Sequence, residues 1–238
     1  MLFESKLTIF YTFTSTSNIM RSNVQTASNA IVINRTLRNT YQLLSATLFF
    51  SGLMAYLSMA LNLPYFGFIP TLVGIIGLFF VVAKLKNSAF GILAVFALTG
   101  FMGLTLGPMI NMYLTAYSNG AELVAMAMVG TATVFVTLSV YTIISQKDFS
   151  FMGGFLFAGL MVVILALVAN FFFNIAAVSV AIASVSILIF SGFILFDTSR
   201  IIHGGETNYI MATVSLYISI YQLFVNMLML LGIFGGDD

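Results

Sequence analysis

The chain has 238 residues, of which only eight are Lys or Arg and seven are Asp or Glu, so that 6% is charged and 61% is hydrophobic. A soluble domain carries about 25% charged residues, which argues against a soluble enzyme, a disordered chain and a nucleic-acid binder. The apolar runs are continuous rather than alternating, which favours an all-α polytopic protein of the lipid bilayer over a barrel. Cysteine is absent, so disulfides, thiolate metal ligands and a Cys nucleophile are excluded.

The N-terminal 40 residues are the most polar part of the chain. They are rich in Ser, Thr and Asn and have too little apolar surface to fold alone. We therefore predict a flexible cytoplasmic tail over 1–40 and a transmembrane domain over 41–238. Met20, which is followed by Arg21, is an alternative start of the natural protein.

Seven apolar stretches follow, each of roughly 17–25 residues, a length that suits a helix crossing a hydrocarbon core of about 30 Å. The fifth and sixth stretches are separated only by a segment that runs from Asn170 to Asn174, and a single bent hairpin is the alternative there. The predicted spans are 41–61, 67–83, 88–107, 120–144, 150–170, 174–196 and 209–233.

The basic residues predict the orientation of these spans. The loops 62–66, 108–119 and 171–173 contain neither Lys nor Arg. By the positive-inside rule the N-terminus lies in the cytoplasm and the C-terminus lies outside, an alternation that seven spans satisfy. The basic residues lie in the tail and in every second connection: Lys6, Arg21, Arg35 and Arg38, then Lys84 and Lys86, then Lys147, then Arg200.

Small residues in spans three and five predict close contacts between helices, because glycine lets helices approach each other in lipid. A functional role for these glycines is the alternative. Pro108 and Asn111 come directly after the third span and are predicted to end that helix. The glycines are Gly100, Gly103 and Gly107 in span three, and Gly153, Gly154 and Gly159 in span five.

Span seven has a polar face. Ser215, Ser219, Gln222 and Asn226 follow each other at steps of four, three and four residues, which places them on one side of a helix. Polar groups in lipid need partners, so this face is expected to point into the bundle. Two interpretations stay open: hydrogen bonds between helices, or the lining of a narrow hydrated path.

Asp197 is the main candidate for a functional charge. If span six continues to Ile202, this carboxyl lies about 7 Å inside the end of the helix. Partial desolvation favours its neutral form, whereas Arg200, one turn on, favours the charged form. An acid within the membrane is a functional candidate by default, and an interfacial acid paired with Arg200 is the equal alternative.

The remaining polar residues suggest neither a metal site nor an enzyme. His203 lies in a Gly-containing turn with no second metal ligand in reach by sequence. No G-x-S-x-G elbow accompanies it, so a hydrolase triad is not supported. Glu122 suits the positive end of the fourth helix, and Glu206 to Asn208 are candidates to cap the seventh.

Several motifs resemble those of the Bax inhibitor-1 family and its bacterial YccA-like branch. The most specific are Phe196-Asp-Thr-Ser-Arg-Ile-Ile-His-Gly-Gly-Glu-Thr-Asn-Tyr209 and Ala212-Thr-Val-Ser-Leu-Tyr-Ile-Ser-Ile-Tyr-Gln-Leu-Phe224. Looser similarities are Leu37-Arg-Asn-Thr-Tyr41, Thr99-Gly-Phe-Met-Gly-Leu-Thr-Leu-Gly-Pro-Met-Ile110 and Lys147-Asp-Phe-Ser-Phe-Met-Gly-Gly154. The resemblance covers nearly everything from Arg35 onward.

The resemblance implies a fold of six helices around a central seventh and a multi-pass protein of the bacterial inner membrane. It also implies two activities known in the family. YccA-like members are substrates and modulators of the membrane AAA protease FtsH. Other members are pH-sensitive calcium leak channels in which two aspartates on the last two helices share a proton. Proteins of the YccA-like branch begin near the position of Met20.

The match to the channel pattern is only partial. Asp197 corresponds to the first aspartate, but Ser219 stands at the second position, so the carboxylate pair is broken. Calcium prefers six to eight oxygen ligands, and one Asp with Ser215 and Ser219 is a poor site. We therefore expect a non-enzymatic FtsH modulator engaged through its tail, with no resident cofactor. The alternative is a cation leak gated by Asp197, with calcium as a transported ion and Arg200, Ser215, Ser219, Gln222 and Asn226 along the path.

Overall fold

The computed structural model describes residues 32–236, which contain seven α-helices, one short 3-10 helix over Ser150–Met152 and no strand. The predicted all-α architecture and the count of seven helices are confirmed within this part of the chain. The rest of the predicted tail, the alternative start at Met20 and the terminal Asp237 and Asp238 lie outside the described residues. The helices are α1 Val32–Ala60, α2 Phe68–Leu85, α3 Phe90–Ala116, α4 Gly120–Ser145, α5 Gly153–Phe173, α6 Ala176–Ile202 and α7 Tyr209–Gly235.

Six of the seven helices in the described region are long and apolar enough to cross a membrane. The exception is α2, whose apolar part, Ile69–Leu85, is shorter. At 1.5 Å per residue this part is about 26 Å long, slightly less than the roughly 30 Å of a hydrocarbon core. A short helix of this kind is accommodated at modest cost by local thinning of the bilayer.

Helix α1 begins at Val32, before the predicted boundary at residue 41. Its early turns are held by contacts with the α6–α7 turn and the start of α7, which hydropathy does not reveal. The Thr36 hydroxyl donates to the carbonyl of Thr207 at 3.3 Å, and the Thr213 hydroxyl donates to the carbonyl of Thr40 at 3.3 Å. The segment from 32 to 40 is therefore an ordered start of the first helix.

The prediction that α3 ends at Pro108 is wrong, because the helix continues to Ala116. Proline has no N–H and leaves the carbonyl four residues earlier, that of Leu104, without its helical donor. The Ser58 hydroxyl on α1 donates to this carbonyl at 2.8 Å. A neighbouring helix thus satisfies the group that the proline frees, which is how proline is tolerated inside membrane helices.

We expect Ser58→Ala to lower the free energy of unfolding by about 1 kcal/mol, because it leaves the Leu104 carbonyl unsatisfied in an apolar setting. The same substitution in a Pro108→Ala background should have a smaller effect, since an alanine in place of the proline supplies the missing backbone donor. Unfolding in mixed micelles, followed by circular dichroism on all four variants, measures this coupling. Equal losses of unfolding free energy in both backgrounds would contradict the assignment of the Ser58 hydroxyl as the donor that replaces the missing N–H of Pro108.

The break between α5 and α6 is confirmed as a true helix end. Asn174 adopts the left-handed conformation with φ of 48°, which stops α5 after Phe173. The Asn170 side chain accepts from the Ile175 N–H at 2.9 Å and donates to the Ser179 hydroxyl at 2.7 Å. The alternative of a single bent hairpin is therefore not what the chain forms.

Helix α7 packs against most of the bundle, whereas α5 lies at its edge. Among the described residues α7 contacts α2, α3, α4 and α6, and Tyr217 also bonds with Ser51 of α1. Helix α5 packs on α6, and of its own residues only Leu156 and Val163 are buried. The largest apolar core accordingly surrounds α7 and includes the fully buried Leu98, Val214 and Leu216.

Candidate functional site

Asp197 lies in the last two turns of α6 and is 8% exposed. Its neighbours Thr198 and Ser199 are completely buried. Within residues 32–236 the carboxylate accepts no hydrogen bond and has no cation within ion-pair distance. A buried acid without partners is costly to keep charged, and such groups are concentrated at functional positions.

Arg200 makes its close ion pair with Glu206 and not with Asp197. Its guanidinium lies 3.7 Å from the Glu206 carboxylate and donates to the carbonyl of Gly205 at 3.2 Å. The same group stands 5.4 Å from the centre of the Phe196 ring. The structure therefore pairs Arg200 with the α6–α7 turn, and the ion pair with Asp197 that formed the alternative interpretation is not made.

The structure places the four polar residues of α7 at different depths. Ser219 is 3% exposed, and Ser215, Gln222 and Asn226 are half-buried. The Asn226 side chain donates to the carbonyl of Gln222 at 2.7 Å, a bond within the helix rather than between helices. In the described chain no hydrogen bond joins any of the four to Asp197, so the predicted set does not form one connected cluster.

A hydroxyl cluster joins α7 to α1 and α3. The Tyr217 hydroxyl bonds with Ser51 of α1 at 2.5 Å and donates to the Thr99 carbonyl of α3 at 3.3 Å. One turn on, the Tyr221 hydroxyl bonds with Thr105 of α3 at 3.1 Å. These bonds hold three helices together, and the four-residue spacing of the tyrosines is the signal that could have revealed them.

An apolar cavity of about 480 Å³ lies between α1, α3, α4 and α7, beside this cluster. Tyr217 and Tyr221 form part of its wall, and no charged residue lines it. Its rim includes Tyr56 and Met128, which are 64% and 60% exposed on the outer surface of the bundle. The cavity therefore offers no carboxylate to a cation, and Asp197 is not among its lining residues.

Three connections and the start of α1 meet at the end of the bundle that contains Asp197. The Asn208 side chain caps α7 by accepting from Ile210 and Met211, which confirms the predicted capping role of this residue. It also donates to the Lys86 carbonyl in the α2–α3 connection at 3.0 Å. The start of α1 bonds with Thr207, as described above, and the α4–α5 loop bonds with α6 through Ser199. The basic residues of the described chain are all on these connections or the adjoining helix ends.

Metal binding by a preformed side-chain cluster has no support in residues 32–236, where no three His, Asp or Glu residues come together. Glu122 is exposed in the first turn of α4, where the helix dipole favours an anion. The described part of the chain is therefore a helical membrane bundle with one buried, unpartnered carboxylate at the end where its basic residues gather.

Comparison with known proteins defines the family. Residues 33–236 match the family described as "Inhibitor of apoptosis-promoting Bax1", or Bax1-I. The chain belongs to this family, as the motifs on α6 and α7 predicted. The match includes every helix of the structure except the first residue of α1.

Several bacterial relatives are similar over nearly their whole length. The Escherichia coli K12 protein named "Modulator of FtsH protease YccA" is 52% identical over 204 residues, covering 86% of this chain and 92% of the relative. A protein named "Inner membrane protein YccA" from Escherichia coli O6:H1 has the same identity and coverage. A membrane protein of Vibrio cholerae is 48% identical over 227 residues, covering 95% of this chain and 98% of the relative.

These relatives and the six candidate spans place the chain in the bacterial inner membrane as a multi-pass protein. The names of the relatives cited above describe membrane proteins and a protease modulator, and none of them describes an enzyme.

Proposed function

We propose that this protein is a modulator, and itself a substrate, of the membrane AAA protease FtsH. The observation that carries the proposal is its 52% identity to a relative named as a modulator of that protease. In this account the protease engages the segment before α1, and the packed helices resist extraction. A substrate that is engaged but only slowly extracted occupies the protease and so slows the degradation of other proteins.

The proposed orientation puts the N-terminus in the cytoplasm and the C-terminus outside. The start of α1, the α2–α3 connection, the α4–α5 loop and the α6–α7 turn are joined by hydrogen bonds at one end of the bundle. The gathering of basic residues at this end supports a cytoplasmic location for it. Contacts of α7 with α1, α2, α3, α4 and α6 support a central place for the seventh helix.

Deletion of residues 1–31 tests the engagement step and leaves α1 intact, since this helix begins at Val32. We expect the shortened protein to be degraded much more slowly by FtsH and to lose its inhibition of a second membrane substrate. The measurement is a pulse-chase of both proteins in cells that produce FtsH.

A variant in which residues 1–31 are replaced by a Gly/Ser segment of equal length is the matched control. Restored degradation would show that FtsH can engage any flexible segment before α1. Continued resistance to degradation would show that FtsH recognises the native sequence of this segment. Unchanged turnover after the deletion would overturn the proposed mode of engagement.

A second candidate function is a pH-sensitive leak for calcium or other cations that is gated by Asp197. The observation that favours it is the buried carboxylate without a partner at the basic end of the bundle. Ser219 provides a hydroxyl where the channel pattern has a second acid, and the apolar cavity contains no charge. This candidate therefore depends on one carboxylate acting alone.

A further inference from the structure

The apolar cavity beside the hydroxyl cluster is a slot between α1 and α4. The residues that line the slot and are also exposed recur every four residues on each of these two helices, so they share one face of the helix. This face borders the mouth of the slot, which therefore opens sideways, toward the lipid. The mouth residues are Gly52 and Tyr56 on α1, and Met128, Ala132 and Val136 on α4.

Helices α3 and α7 form the floor of the slot. Ile220 and Phe224 of α7 lie on this floor and are each 9% exposed, so lipid outside the slot has little access to them. Along α1 the slot extends over residues 48–59, a length of about 17 Å. At its end nearer the basic residues, the centre of the Phe135 ring of α4 lies 6.1 Å from the centre of the Tyr41 ring of α1. The slot is thus a long, narrow recess that ends where these two helices come into contact.

The hydroxyl groups on the wall of the slot have partners within the protein. Those of Ser51, Tyr217 and Tyr221 belong to the cluster that joins α7 to α1 and α3. The Thr131 hydroxyl donates to the sulfur of Met227 at 3.6 Å. A polar ligand in this interior would lose its hydrogen bonds with water and leave its own groups unpaired. The lining therefore favours a hydrocarbon as the occupant.

We propose that the slot is a binding site for one acyl chain of a membrane phospholipid, which enters between α1 and α4 and lies on α7. The volume of about 480 Å³ is within the range of about 300–1,000 Å³ that is typical of small-ligand sites. A helix of a second protein, about 10–12 Å across with its side chains, is too thick for a cavity of this volume that extends along α1.

The source of the chain follows from where the mouth opens. The mouth faces the bilayer, in which phospholipids carry the hydrocarbon chains. Tyr56 lies one turn before the end of α1 at Ala60, and tyrosines near the end of a membrane helix lie at the level of the lipid headgroups. Its hydroxyl is placed to donate to the oxygens of a phospholipid whose chain lies deeper in the slot.

Packing, and not the hydrophobic effect, holds the chain in the slot, because lipid hydrocarbon is as apolar as the slot itself. An empty slot would leave its lining without partner atoms on one side and so without the corresponding dispersion contacts. An acyl chain supplies those contacts and completes the packing between α1, α4 and α7.

A phospholipid with a photoreactive diazirine at the end of one acyl chain tests the proposal in the full chain reconstituted in nanodiscs. After illumination, peptide mass spectrometry should find the label on the floor of the slot, at Ile220 or Phe224. Exposed residues of α5, such as Phe157 and Leu165, report labelling by the surrounding bilayer and so serve as the internal reference. The quantity measured is the ratio of floor labelling to α5 labelling.

Gly52→Phe should lower this ratio about tenfold, because forcing a chain in beside a phenyl ring overpacks the slot. A Cβ at Gly52 meets no heavy atom within 4 Å, so the new ring has room at the mouth. Gly77→Phe on α2 is the matched control. A Cβ there also meets no heavy atom within 4 Å, but Gly77 does not line the slot, so the ratio should stay unchanged.

Ala132→Phe, on the α4 side of the mouth, repeats the test without changing α1, and the ratio should fall in this variant too. Absence of floor labelling in the parent protein, or an unchanged ratio in both slot variants, would overturn the proposal. Floor labelling by a free fatty acid that carries the same diazirine, with none by the phospholipid, would overturn the phospholipid as the source. The readout involves neither FtsH nor ion flux, so its failure is separate from failure of the proposed function.

Discussion

Gly103→Ala should lower the free energy of unfolding by about 1–3 kcal/mol, the range for overpacking a close contact. A Cβ at this position would overlap the backbone carbonyl oxygen of Ser51 on α1. Backbone cannot rotate away as a side chain can, so α1 must move. That movement also separates Ser51 from Tyr217, a bond that connects α1 with α7. Unfolding in mixed micelles, followed by circular dichroism, measures the loss.

Gly77→Ala on α2 is the matched control for this prediction, because a Cβ there meets no heavy atom within 4 Å. It should not destabilise the protein, since alanine is favoured over glycine in a helix by about 1 kcal/mol. Similar losses for the two variants would show that glycine flexibility, and not the close approach of α1 to α3, explains the result. If Gly103→Ala leaves the free energy of unfolding unchanged, the close approach of Gly103 to Ser51 does not stabilise the fold.

Asp197→Asn should abolish the pH dependence of any cation flux through the reconstituted protein. In the leak hypothesis the carboxylate of Asp197 binds the cation, and the charge of this carboxylate changes with pH. Losing one interaction of about 1.4 kcal/mol would lower cation binding about tenfold. The measurement is calcium and proton flux in liposomes at pH 6 and pH 8, with parent and variant side by side.

Glu122→Gln is the control, because it removes an exposed carboxylate from the first turn of α4 and leaves Asp197 in place. Flux that depends on pH in the parent and in Glu122→Gln, but not in Asp197→Asn, would support gating by one acid. Absence of flux above empty liposomes would make the serine at position 219 decisive against the channel and leave protease modulation as the function. Equal flux in all three proteins would exclude Asp197 as the gate.

Local features of the sequence predicted the elements of the bundle well. Hydropathy located all seven helices, the segment from Asn170 to Asn174 marked the break between α5 and α6, and Asn208 was one of the three residues expected to cap α7. These features could be predicted because helix length, apolar content and capping depend on residues within one or two turns. The motifs on α6 and α7 identified the family for a similar reason, since they are continuous in the chain.

The errors arose where a distant partner decides the outcome. Proline predicts a helix end when only its own chain is considered, but Ser58 supplies the missing donor to Leu104 and α3 continues. Hydropathy placed the start of α1 at residue 41, but contacts with Thr207 and Thr213 extend the helix back to Val32. In both cases the partner lies many residues away and is brought near only by packing.

At the candidate site too, local sequence predicts some features, and contacts between distant residues decide the others. The sequence by itself determined that the protein is an apolar helical bundle and that Asp197 is an acid near the end of its sixth helix. Only the tertiary structure decided that this acid is buried without a hydrogen-bond partner and that Arg200 pairs with Glu206. Burial in lipid is set by the summed hydropathy of a segment, whereas the partner of a polar group is set by which helices meet and at what height.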